Sequence, residues 1–99
     1  MNALRLTASI VEREALRYTP AGVPVVEFRL RHASQQIEAE TPRQIEFEAR
    51  AIAIGAVSRS IMAAPMEATL EFQGFLAMKS KQSKALVFHV TAITAPDLE

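Results

Sequence analysis

Five stretches of this 99-residue chain alternate apolar and polar side chains with a period of two. That is the repeat of a β-strand with one face buried. Leu4, Leu6, Ala8 and Ile10 alternate with Arg5, Thr7 and Ser9, and Val26, Phe28 and Leu30 alternate with Glu27, Arg29 and Arg31. Ile45, Phe47 and Ala49 oppose Glu46, Glu48 and Arg50, and the run continues through Ile52-Ala-Ile54 into Gly55. Ala68, Leu70, Phe72 and Leu76 mark a fourth strand, and Leu86, Phe88, Val90 and Ala92 a fifth. Each such strand must hide its apolar face against another, and a chain of this length supports one core. The pattern therefore predicts a single all-β domain over residues 1–99.

The connections narrow the architecture. Tyr18-Thr-Pro-Ala-Gly-Val23 carries proline and glycine at turn spacing, and Pro24 belongs at a strand's first residues or on an edge. Between the third and fourth strands, Val57, Ile61 and Ala64 sit at helical spacing in a short segment that Pro65 ends. Five strands with one short helical segment there predict a five-stranded Greek-key barrel, an OB fold. Residues 33–42 are polar and aperiodic, which reads as a mobile loop. The window 79–84 reads as a basic hairpin loop, and the tail 95–99 as a fraying end.

Composition removes most enzyme chemistry. With no cysteine there are no disulfides, thiolate zinc sites or cysteine nucleophiles. His32 and His89 have no acid cluster beside them, and Asp97, the only aspartate, lies in the tail, which makes a poor metal site. No serine sits in a Gly-x-Ser-x-Gly elbow, and no glycine-rich phosphate loop is present. Glu46 and Glu48 share a strand face about 7 Å apart, without a partner acid, and read as a solvated face. The expectation is a non-enzyme with no cofactor and no metal. No apolar run reaches membrane-spanning length, and the first residues lead straight into a strand pattern, so a cytoplasmic location is expected.

Charge points to a polyanion only locally. Eleven basic residues balance eleven acidic ones, yet all three lysines, Lys79, Lys81 and Lys84, fall within six residues, and no acid occurs from Phe72 to Pro96. A basic hairpin tip can follow a phosphate backbone, and it can equally serve to keep strand ends from pairing. Arg29 and Arg31 face either phosphates or the cross-strand acids Glu46 and Glu48. Period two assigns Phe28, Phe47, Phe72 and Phe88 to the core. Tyr18, beside Arg17, and Phe75 are left as candidates to stack on bases, with packing the favoured role for Phe75.

Several segments then carry a resemblance: Asn2-Ala-Leu-Arg-Leu6, Leu16-Arg-Tyr-Thr-Pro-Ala-Gly-Val-Pro24, Phe28-Arg-Leu-Arg-His32, Arg43-Gln44, Gln73-Gly-Phe75 and Ser83-Lys-Ala-Leu-Val-Phe-His89. In order and spacing this set resembles the bacterial primosomal replication protein N family, small relatives of single-stranded DNA-binding proteins. The resemblance covers nearly the whole chain. It implies an OB fold, a homodimer, single-stranded DNA binding in replication restart, and contact with the primosomal helicase and a helicase-loading protein. It places DNA contacts on Arg17, Lys79, Lys81, Lys84 and Arg43. Where the family has an exposed tryptophan this chain has Glu46; an aromatic contact falls on Thr41, a basic one on Ala33, and a glycine on Ala8. That depletes the stacking surface and shifts binding toward loop charge. A protein-interaction module that bridges primosome components while barely touching DNA remains the alternative. A freestanding strand-protection protein is a third reading, against which the chain lacks a long tail with an acidic end. For the dimer, the proline-free strand Ala3–Ile10 offers a pairing edge.

Overall fold

The structure, a computed structural model, describes residues 1–95. The predicted tail over 96–99 lies outside the described residues. The elements are β1 (Leu4–Arg13), β2 (Arg17–Tyr18), β3 (Pro24–Glu38), β4 (Thr41–Ile54), α1 (Val57–Ala63), β5 (Leu70–Ser80) and β6 (Ser83–Thr94). They form one sheet in the order β1-β5-β6-β4-β3-β2, and β1 also pairs with β3, which closes five strands into a barrel. Only β4 and β6 run parallel, meeting at Ala51↔Phe88 and Ile52↔His89. This is the predicted OB architecture, with the short helix in its predicted place between the third and fourth barrel strands.

The inward positions of the alternating runs fill the barrel. Ile10, Val26, Leu30, Phe72 and Phe88 are almost wholly buried, and the Phe28 and Phe72 rings lie 6.3 Å apart. Helix α1 plugs one end with Ile61, and Ser58 donates from its hydroxyl to the Gly55 carbonyl at 2.6 Å. Arg13 reaches over from β1 and donates from one nitrogen to the carbonyls of Ile61 and Ala64, both at 2.8 Å. Both lie at the helix C-terminus, where carbonyls run short of intrahelical partners; that of Ile61 also accepts from the Ala64 amide at 3.2 Å.

Four expectations are corrected. Residues 33–42 are not a loop: β3 and β4 stay paired from Val25↔Ile54 out to Glu38↔Thr41, forming an arm beyond the barrel. Its two-residue turn, Ala39-Glu40, has φ of 50° and 64° at residues where Asn-Gly would be the usual signal. Along the arm neither face meets a core, so the period of two that reveals strands has nothing to maintain it. Phe47 keeps its inward parity but stands past the barrel's end and is 42% exposed, against the core place expected for it. It packs its ring on His32, with centroids 5.0 Å apart.

On β6, a register shift pairs Phe72 with Ile93 and Gly74 with Val90. The extra residue, Thr91, resets the alternation, so Ile93 rather than Ala92 joins Val90 against the core. Finally, the pairing edge expected over Ala3–Ile10 is shortened, because β1 closes the barrel against β3. From Ser9 onward β1 is engaged by β3, so only Leu4–Ala8, paired with β5 on one side, keeps an open edge. Even there His32 donates from Nδ1 to the Thr7 carbonyl at 2.6 Å and takes the Ser34 hydroxyl on Nε2 at 2.7 Å.

Candidate nucleic-acid interface

The outward side chains of the strands form a row across the sheet. Phe75 on β5 is in register with His89 on β6, His89 with Ile52 on β4, and Ile52 with Glu27 on β3. Arg17 on β2 closes the row by pairing with Glu27 at 2.9 Å. Lys79 arrives from the far end of β5, because Phe75, Ala77 and Lys79 share outward parity. One cleft of about 200 Å³ is lined by Arg17, Glu27, Ile52, Lys79, Val87 and His89. The lysine hairpin thus brings Lys79 to Arg17, although 62 positions separate them in sequence.

The remaining lysines sit beyond the cleft. Lys81 occupies the turn and Lys84 the start of β6, both exposed. Tyr18 is exposed next to Arg17 and is paired with Pro24 through the backbone. Arg43 lies far out on the arm, opposite Gln36, and is hydrogen-bonded to Glu38. The structure therefore gathers Arg17, Tyr18 and Lys79 near one another and leaves Arg43 apart.

Ion pairing separates Arg17, Arg29, Arg31 and Arg43 from the three lysines. Arg29 meets Glu12 at 3.4 Å and Glu48 at 3.8 Å, and Arg31 meets Glu48 at 3.6 Å and Glu67 at 3.8 Å. With Arg17 and Arg43 they are all neutralised locally. Among the described residues, none of the three lysines has an acidic partner within ion-pair distance. Glu48 thus takes the cross-strand role foreseen for the acidic face, and Glu46, exposed opposite Ala33, takes none. On the β1–β5 side, the Arg5 guanidinium lies 3.0 Å from Glu71 and holds its carboxyl below the usual carboxylate range.

Two features escaped sequence reasoning. Phe75 is 38% exposed, and its ring stacks on His89 at 4.9 Å and 13°. Cross-strand register brings the two together, and no local motif signals it. At the end of the barrel away from α1, Leu4, Leu6, Phe47, Ala49, Leu76 and Leu86 line an open apolar groove of about 420 Å³. No group of three or more metal-ligating side chains occurs among the described residues.

Residues 2–92 match a family described as another single-strand binding protein family. Replication restart protein PriB of Nitrosomonas europaea is 40% identical over 89 residues, covering 90% of this chain and 82% of the relative. PriB of Bordetella pertussis is 38% identical over 90 residues, covering 91% and 84%. A solved structure of PriB from Ralstonia solanacearum is 41% identical and superposes with a TM-score of 0.87 over 97% of this chain and 98% of that one. These likenesses, together with the closed barrel, place the chain in the single-strand binding protein family, among its replication restart PriB members.

Proposed function

We propose that this protein is a non-enzymatic, single-stranded DNA-binding accessory of the replication-restart primosome, acting in the cytoplasm. In that role it stabilises the primosomal helicase on DNA and aids loading of the replicative helicase. The observation that carries the reading is the unpaired lysine hairpin beside Arg17 on the open face of an OB barrel. A flexible strand of phosphates can replace water around Lys79, Lys81 and Lys84 without first breaking an ion pair. Arg17 with Tyr18 extends the path across β2, and Arg43 offers a further cation on the arm once Glu38 is displaced. Family membership supports the same reading. Fluorescence anisotropy of a labelled oligothymidine at low salt tests it: saturable binding that weakens steeply with salt is expected, and the absence of binding refutes it.

The functional unit is proposed to be a homodimer. The open edge at Leu4–Leu6 can pair antiparallel with its symmetric copy, and the adjoining apolar groove supplies area for that copy to cover. Sedimentation equilibrium at micromolar concentration is expected to give the dimer mass; a monomer mass refutes this part. A second reading, a bridging module with little DNA contact, is favoured by one observation: Arg17, Arg29, Arg31 and Arg43 all carry acidic partners. The oligothymidine titration separates the two readings.

A further inference from the structure

We propose that Phe75, backed by His89, forms a base-stacking platform that seats a nucleobase of single-stranded DNA on its outer ring face. The proposal rests on the DNA-binding reading above and deepens it by naming the groups that hold bases rather than phosphates.

Phe75 is the first point. The other phenylalanines of β5 and β6, Phe72 and Phe88, are 0% and 1% exposed, whereas Phe75 is 38% exposed on the outward face. Its ring is nonetheless held in place. Phe75 and His89 are direct cross-strand neighbours, and their near-parallel rings are separated by 4.9 Å, about the spacing of adjacent strands. Each ring therefore covers one face of the other; the far face of Phe75 is open, while His89 has Ile52, its register neighbour on β4, on its other side.

The strand order says what lies beyond each ring. His89 looks toward β4 and the cleft of about 200 Å³ that holds Arg17 and Lys79. Phe75 looks toward β1 and a second cleft of about 330 Å³, lined by Ala3, Leu4, Arg5, Gln73, Gly74 and Thr91. Sites that enclose a whole small-molecule ligand run from roughly 300 to 1,000 Å³ and are mostly closed. Both clefts are open, and the one beside Phe75 suits planar bases stacked on its ring better than an enclosed compact ligand. Cations at their margins are placed for the phosphates that such bases carry with them.

The local alternative is that the pair only stiffens the sheet beside Gly74. A base-dependent readout distinguishes them, since a stiffening pair has no reason to sense bases. Affinity is measured by anisotropy for oligothymidine and for an equally long abasic oligomer of the same charge, with the full chain and with Phe75→Leu and His89→Leu. Wild-type protein is expected to prefer the oligomer with bases. Each variant is expected to bind oligothymidine roughly 5- to 150-fold more weakly, the equivalent of one lost stack, with an unchanged salt slope and little change for the abasic oligomer. Folded variants with wild-type affinity for oligothymidine overturn the platform while leaving the DNA-binding reading intact. Wild-type protein that binds neither oligomer overturns both. If a variant does not fold, photocrosslinking of wild-type protein to a bromodeoxyuridine oligomer decides the matter. Adducts at Phe75 or His89 are expected, and adducts confined to other residues overturn the proposal.

Discussion

Gly74→Ala tests whether the close approach of β5 to β6 is what builds the outer face. A Cβ at residue 74 would lie 1.8 Å from the His89 carbonyl oxygen, 2.8 Å from its carbon and 3.1 Å from Cε1 of Phe88. Two of these neighbours are backbone and the third belongs to a buried core ring, so no flexible side-chain end can swing aside. The strands must separate by more than an ångström, at the register shift where Gly74 meets Val90. Inserting one methyl group into a tight site costs about 1–3 kcal/mol, and the backbone contact puts this case at the upper end, about 3 kcal/mol. For a domain of this size each kcal/mol lowers Tm by roughly 4–8 °C, which gives a fall of about 12–24 °C. Thermal and urea unfolding followed by circular dichroism measure it. A loss below about 0.5 kcal/mol would show that the strands part easily here, and the geometry assigned to Phe75 and His89 would lose its support.

Arg13→Met keeps the aliphatic stem but removes both hydrogen bonds to the end of α1, and is expected to cost about 2–3 kcal/mol in urea unfolding with oligothymidine affinity unchanged. Glu48→Gln removes the carboxylate that Arg29 and Arg31 share, while Glu12 stays beside Arg29 and Glu67 beside Arg31. These pairs are exposed, so the expected gain is modest: oligothymidine binding about 2- to 5-fold tighter at low salt, fading at high salt, as anisotropy can read directly.

How much the sequence revealed depended on whether a residue faced a core. The inward runs of β1, β3, β5 and β6 were legible because burial enforces their alternation, and the lysine tip because charge segregation is visible without a fold. The arm was not, since both its faces meet water and its Ala39-Glu40 turn carries no glycine or asparagine signal. Phe47 has the parity of a core residue, and parity says nothing about where the barrel ends. Ile93 was missed because one inserted residue, Thr91, shifts the inward set by one. The meeting of Arg17 with Lys79, and of Phe75 with His89, comes from strand order and register. Those are properties of the closed sheet and leave no trace in local spacing.

In the proposed function, unpaired lysines on the β5–β6 hairpin carry the electrostatics of single-strand binding. This is tested most directly by the salt dependence of oligothymidine affinity in wild-type protein and in the triple variant Lys79→Ala, Lys81→Ala, Lys84→Ala. Each lost phosphate contact reduces the slope of log affinity against log salt by about 0.7. A slope shallower by roughly two units is expected in the folded triple variant. A slope equal to that of the wild type contradicts it and reduces the hairpin to a solubilising tip.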